Sequence, residues 1–234
     1  MTKDLKKAKH IKSELKDTFD TIAPHFDITR YKPWPESKRF ISTLQKGSTT
    51  LDLGCGNGRN SIYLAKEGMK VIGIDFSRGL LKIAKNKMEW KEISGSVNLL
   101  QGDITSIPLK NESVNAVLYI ATLHHLPTPQ DRLQSLLEIK RCLKSKGAAL
   151  ISAWAQEQEK FREDLKRSKD NQDDGFEYGD IFLPWKMKEG GEFQRYYHLF
   201  SKDEFEDLIE KSGLEVIKIF FSADNHYAEL RKSD

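Results

Sequence analysis

Apolar residues recur along the chain with two alternating periods. Leu15, Phe19 and Ile22 repeat at helical spacing and are followed by Pro24, which predicts an N-terminal helix ending there. The next stretch, DITRYKPWPESKRF from Asp27 to Phe40, carries prolines 33 and 35 and is predicted to be irregular. Short apolar runs then alternate with helical stripes. TTLDL is a strand running into glycines, Arg59 to Lys66 a helix stopped near Gly68, and KVIGIDFS a second strand with an acidic end. Leu80, Ile83, Ala84 and Met88 line a helix capped by Ser77. VNLLQGD and VNAVLYIA read as strands three and four, and AALISAW as strand five. Leu133, Leu136, Leu137 and Leu143 mark a helix closed by Gly147. This alternation calls for an α/β fold, a parallel sheet with helices on both faces.

From Gln156 to Glu192 the pattern lapses into a polar stretch with FLPWK embedded in it, predicted to be a flexible insertion or lid after strand five. Order returns with RYYHLF. Ser201 and Glu204 form an S-x-x-E capping box before Phe205, Leu208 and Ile209, and Gly213 stops that helix. EVIKIFF and HYAELRK close the chain as two strands. One domain is expected over residues 1–234: an N-terminal helical extension with a substrate-facing loop (1–45), a core (46–155), the insertion (156–192) and a C-terminal helix with a strand pair (193–234).

Composition narrows the setting. The chain has 234 residues, 38% hydrophobic and 31% charged, as in ordinary soluble globular proteins, with no apolar run long enough to span a membrane. MTKDLKKAKH is basic but no apolar segment follows it, so it is not a secretory signal. Cys55 and Cys142 lie outside any CxxC pattern and read as reduced thiols, so a cytoplasmic location is expected. Net charge is only +3. The lysines at 3, 6, 7, 9, 12 and 16, and the cluster Lys160, Arg162, Lys166, Arg167 and Lys169, read either as solvated helix faces or as a phosphate-facing rim.

The chemistry begins at the first strand end. Asp52, Gly54, Gly56 and Gly58 give D-x-G-x-G-x-G, a loop that lets backbone approach a ligand and turn into a helix N-terminus. A dinucleotide fingerprint needs a third glycine where Arg59 stands, which disfavours a nicotinamide oxidoreductase. Asp75 ends strand two, where a carboxylate can take both ribose hydroxyls, and Asp103 ends strand three, within reach of an adenine amino group.

LDLGCGNG, GIDFS, LLQGDITSIPL and NAVLYIATLHHL, in that order and spacing, resemble the seven-stranded Rossmann-like S-adenosylmethionine-dependent methyltransferases over residues 48–155. The resemblance implies that Asp52, Gly54, Gly56 and Gly58 surround the methionine part of the cofactor. It further implies that Asp75 and Phe76 meet the ribose, that Asp103 and Ile104 hold the adenine, and that Ile120 with Ala121 lines the floor. IAPHFDITRYKPWP, ATLHHL, WAQEQ, FLPWK and RYYHLF together are similar to the tRNA wobble-uridine methyltransferases that esterify 5-carboxymethyluridine. Where that family tends to show Asn-Trp in the last hairpin, Asn225 is followed here by His226. Membership implies a tRNA anticodon loop as substrate and a small zinc-binding activator subunit. The apolar strand Val97–Leu100, expected at a sheet edge, is the expected docking place for that subunit, the other reading being cover by the chain's own helix.

A carboxylate nucleophile is ionised at neutral pH and needs placement, not a base. Arg30 and Arg195 are the candidates to hold it, with Tyr31 and one of His124 and His125 lining the pocket. Adjacent histidines on a helix face apart, so they are not expected to bind a metal. Trp34, Trp185 and Tyr196 are candidates to stack on an unstacked base; the tryptophans read equally as core anchors. His124–His125 also reads as a core or capping pair, and Arg195 as half of a surface ion pair. At the level of function, a methyltransferase for small molecules, or a fold that binds the cofactor without turnover, are the competing readings.

Overall fold

The computed structural model describes residues 3–170, 176–187 and 190–234. Among the described residues nine strands follow in chain order: β1 (Thr49–Leu53), β2 (Lys70–Asp75), β3 (Val97–Gln101), β4 (Val114–Ile120), β5 (Leu143–Trp154), β6 (Asp180–Lys186), β7 (Glu192–His198), β8 (Glu215–Ser222) and β9 (Asn225–Arg231). Seven of them form one sheet in the order β3-β2-β1-β4-β5-β9-β8, parallel through β5 and antiparallel at β9 and β8. The helices are α1 (Lys3–Thr29), α2 (Pro35–Ser42), α3 (Arg59–Lys66), α4 (Arg78–Trp90), α5 (Pro129–Cys142), α6 (Arg162–Asp170) and α7 (Lys202–Lys211). Among the described residues no helix is long and apolar enough to cross a membrane.

Strand alternation splits the core into two layers. On β4, Val117 and Tyr119 pack toward Leu136 and Ile139 of α5 and Phe205 of α7. Leu118 and Ile120 pack toward α2, α3 and α4 through Phe40, Ile62 and Ala84. The expected seven-stranded α/β sheet, covered on both faces, is therefore what the sequence forms. β3 has a strand neighbour on one side only, as expected of an edge.

Four expectations need correction. First, α1 runs through Pro24 to Thr29. Proline removes the helical bond to the Asp20 carbonyl, and the start of α4 packs against that turn. A Cβ added at Gly79 would lie 2.7 Å from the Asp20 carbonyl oxygen. Ser77 Oγ and the Gly79 amide donate to Asp20 Oδ1 at 2.7 and 2.8 Å, so tertiary bonds carry the helix across its defect. Second, the stretch Asp27–Phe40 is irregular only around residues 30–34, because Pro35 occupies the first turn of α2, where a missing N–H costs nothing. Third, Leu143 belongs to β5, not to α5: it pairs with Val114, and Gly147 lies inside the strand, after Lys146 at φ +60°.

Fourth, the stretch after β5 is not a structureless lid. FLPWK lies in β6, which pairs with β7 as an antiparallel hairpin packed on α1 through Trp185 and Tyr196. Residues 171–175 and 188–189 of the expected insertion lie outside the described residues. Buried ion pairs fasten the hairpin to the helices behind it. Nδ1 of His198 meets Asp180 and Nε2 meets Glu204, both at 2.7 Å, while Arg132 of α5 pairs with Glu177. Glu177, Asp180 and His198 have ligating atoms within 4.8 Å of one another. Burial opposes charge on His198, but its two carboxylate partners outweigh burial and hold its pKa above the ordinary histidine value. Arg162, Lys166 and Arg167 pair with Glu159, Glu163 and Asp164 one turn away, so most of that basic cluster is a solvated helix face.

The contact at Gly79 makes a test. Alanine favours helices over glycine, yet Gly79→Ala is expected to lower the unfolding free energy by about 1–3 kcal/mol, because its methyl meets main chain that cannot move aside. Urea denaturation with an unchanged or raised midpoint would show that α1 does not press on α4.

Candidate functional site

The sheet order reverses between β1 and β4, and open α/β sheets bind ligands at the carboxyl ends of strands beside such a reversal. A cavity of about 920 Å³ lies there. Its first wall is the loop after β1. Gly54 takes φ +71°, and a Cβ on it would lie 2.3 Å from the Thr122 side chain. Gly56 takes φ +54°, and a Cβ there would meet nothing nearer than Leu80 Cδ1 at 4.0 Å, so its backbone borders open space. Asp75 fixes this loop: its Oδ2 accepts the Gly56 amide and its Oδ1 the Ser77 amide, both at 2.8 Å. Burial pushes the Asp75 carboxyl up to about 6. Farther along, Phe76, Asp103 and Ile104 border the same space, and Asp103 is tied down by Thr105 and Lys12.

The second wall is built from β4, β5 and β7. After Ile120 the chain turns through Ala121 at φ +52° into a single 3-10 turn, Leu123–His125. Both histidines line the cavity, which corrects the expectation that only one does. They sit on a tight turn rather than an α-helix, with ring centroids 4.6 Å apart. His124 Nδ1 accepts the Trp154 amide at 3.2 Å, and His125 Nδ1 donates to the Tyr196 carbonyl at 3.1 Å. Burial keeps both neutral: His124 falls well below the ordinary value, and His125 to about 4. Beside them Arg195 is 7% exposed. Its Nη1 donates to Tyr197 Oη at 2.7 Å, its Nε has no hydrogen-bond partner, and among the described residues no carboxylate pairs with it. Burial chiefly, and the nearby Arg30 charge, lower its pKa.

The third wall is the stretch between α1 and α2. The Arg30 carbonyl accepts Asn57 Nδ2 at 2.8 Å, so this segment is bound to the glycine loop. Asp27 binds Asn57 and Lys87. Arg30 and Tyr31 line the cavity, with Tyr31 65% exposed at its mouth. Arg59 joins them with its guanidinium 5.1 Å from the Trp34 ring. Burial and the Arg30 charge lower the Arg59 pKa.

Of the residues picked from sequence, Arg30, Tyr31, His124, His125, Arg195, Gly54, Gly56, Asp75, Phe76, Asp103, Ile104 and Ile120 all border this one cavity. Asp52 and Gly58 do not. Asp52 is buried behind the loop and accepts Ser61 Oγ at 2.6 Å, and burial pushes it up to about 6. Gly58 is needed for packing, since its Cβ would lie 2.9 Å from Met88. Trp185 and Tyr196 are core residues, unavailable to stack on a base, and Tyr196 Oη donates to Asp180 at 2.6 Å. Arg59, Asn60, Trp154, Tyr197 and Asn225 border the cavity without having been picked as site residues, and so does Lys160 of the basic cluster read as a solvated face or a phosphate-facing rim. Arg59 carried a signal, as the residue that breaks the dinucleotide pattern. Asn225 carried one too, as half of the altered Asn-Trp pair.

A methyltransferase domain family model matches residues 51–151. The chain is 32% identical over 234 aligned residues to the tRNA (carboxymethyluridine(34)-5-O)-methyltransferase of Schizosaccharomyces pombe, covering 92% of this chain and 94% of the relative. It is 38% identical over 170 residues to the enzyme of the same name from Saccharomyces cerevisiae, covering 72% of this chain and 55% of that protein. A Haloferax volcanii methyltransferase solved in complex with the Trm112 methyltransferase activator superposes with a TM-score of 0.67 at 17% identity, covering 94% of this chain and 98% of that one.

The buried carboxylates predict a pH dependence. A carboxyl whose folded pKa is raised favours folding while protonated, and that contribution is lost as pH climbs to the folded value. Without added ligand, the stability of the wild type relative to Asp75→Asn is expected to fall between about pH 4 and about pH 6. Denaturation midpoints across that range give the answer; a constant difference would mean Asp75 is ionised throughout.

Proposed function

The chain belongs to the family of tRNA (carboxymethyluridine(34)-5-O)-methyltransferases, and on that premise we propose that it converts the carboxylate of 5-carboxymethyluridine at the tRNA wobble position to its methyl ester. S-adenosylmethionine would supply an electrophilic methyl group on a sulfonium cation. The residues fit it. Gly56 leaves open backbone for its methionine part, with Gly54 beside it in the cavity wall, and Asp103 and Ile104 border an adenine place. Two of about four lone-pair sites on Asp75 are taken by amides, which leaves two for a ribose diol.

The observation that carries the proposal is Arg195, a buried cation in the cavity wall with no anionic partner among the described residues. An unpaired buried charge is costly, so such a group is retained where a ligand anion completes it. Arg30 approaches from the other wall and supplies a second guanidinium. The neutral histidines shape the wall and need not take a proton, because the nucleophile carries none at neutral pH. Opposite charges cancel as the ester forms, so the arginines do most by orienting the carboxylate, less by holding it tightly. Trp34, Lys32 and Lys160 at the rim suit a base and its phosphates. The open edge of β3, with Leu99 and Leu100 only half-buried, suits a small zinc-binding activator subunit. A cytoplasmic location fits the two free, buried thiols.

Single-turnover methyl transfer to carboxymethylated tRNA tests this. Arg30→Ala and Arg195→Ala should each slow transfer by about 10- to 100-fold while cofactor affinity, read by calorimetry, persists. Asp75→Ala should do the reverse and weaken the cofactor first. Full-rate transfer by both arginine variants removes the carboxylate grip. For the partner, Leu99→Lys should abolish co-purification with the activator subunit and leave cofactor binding intact; retained pull-down would put the docking edge elsewhere.

A further inference from the structure

We propose that Trp185, which does not border the cavity, is a positioning residue that clamps the Arg195 guanidinium and fixes where its edge N–H groups point. The inference rests on the reading of Arg195 as the group that holds the substrate carboxylate. In the hairpin register Trp185 faces Phe193, and Tyr197 follows Arg195 by two residues on the same strand. Residues 193, 195 and 197 share one face, so the two rings flank the arginine along it. The Arg195 Cζ lies 4.5 Å from the Trp185 ring centroid and 5.2 Å from that of Tyr197.

The clamp is itself anchored. Trp185 Nε1 donates to His25 Nδ1 on α1 at 2.9 Å, and the indole packs in the apolar cluster with Phe19 and Ile22 of the same helix. A guanidinium free to turn on its long stem would have to be ordered anew by each substrate. Held against an anchored indole, and bonded through Nη1 to Tyr197 Oη, it keeps one plane, with its Nε buried and unpartnered. Only a planar cation can use such a clamp. Lysine at 195 would keep the charge and lose both the ring contact and the plane.

The test is a double-mutant cycle in the full-length chain, read by single-turnover methyl transfer to carboxymethylated tRNA, with active sites counted by S-adenosylmethionine calorimetry. Trp185→Leu should lower the rate per active site by about 10-fold or more with unchanged cofactor affinity. Trp185→Phe, which keeps a ring face, should retain transfer to within about threefold. Arg195→Lys should cost far less in the Trp185→Leu background than in the wild type, because the clamp it forfeits is already gone. A purely structural tryptophan would instead reduce the count of active sites, leave the rate per site unchanged and give additive losses with Arg195→Lys, and this result overturns the clamp. If Trp185→Leu does not fold, His25→Leu takes its place in the cycle: it removes the anchor and leaves the indole, so slowed, non-additive transfer supports the clamp and unchanged transfer overturns it. Full-rate transfer by Arg195→Ala would overturn the reading of Arg195 itself. Slow transfer by Arg195→Ala with additive behaviour at Trp185 overturns the clamp alone.

Discussion

A single buried carboxylate organises the cavity. Asp75 ends β2 and accepts one amide from the glycine loop and one from the start of α4, so two segments that could each drift are fixed to the central sheet through the same group. The arrangement has an electrostatic cost, visible in the raised pKa that burial imposes on Asp75. Backbone amides that point inward offset part of that cost. Had the sequence an asparagine there, the same shape would be available with half its acceptors gone, and the loop would have one firm attachment in place of two.

Across the cavity the logic is reversed. Arg30, Arg59 and Arg195 approach one space from different elements, and burial lowers the pKa of both Arg59 and Arg195. The carboxylate wall and the arginine wall do not neutralise one another by contact, since no ion pair joins Arg195 to an acid among the described residues. Each wall keeps its charge for something that enters between them. Aromatic rings make the arginine side tolerable: Trp34 lies against Arg59, and Trp185 and Tyr197 against Arg195. Ring faces accept a cation without cancelling its charge.

Much of this was legible in the sequence, for identifiable reasons. The strands and the glycine loop follow from local rules, where apolar runs alternate with helical stripes and capping residues such as Ser77 and Ser201 stand at helix starts. What failed was decided by contacts far apart in the chain. Pro24 reads as a stop because the Ser77–Gly79 segment that supports the helix beyond it is more than fifty residues away. The polar run before β7 reads as loose because β6 is stabilised by α1 and by the buried pairs at His198, neither visible locally. Leu143 keeps helical spacing and yet pairs with Val114. In the site, most residues picked for a role in a motif border the cavity, while Asp52 and Gly58 do not. Arg59, Tyr197 and Asn225 were not singled out, because only the closed sheet brings them to the same space.

The position of α1 bears on how the chain acquires its shape as it is made. This helix is synthesised before those partners, yet its side chains settle against Leu80 of α4 and then against Trp185 and Tyr196 of the hairpin. Its bonds run to Ser77 and Gly79, and from His25 to Trp185. On a ribosome adding about 5–20 residues each second, the helix would wait several seconds for the first of these partners and longer for the last. In that interval its apolar stripe of Ile11, Leu15, Phe19 and Ile22 has no cover from the rest of the chain. The many lysines around that stripe keep such a nascent segment dispersed by charge repulsion while it waits. The order of synthesis therefore places the completion of the cavity, which needs both α1 and the hairpin, after the hairpin has emerged.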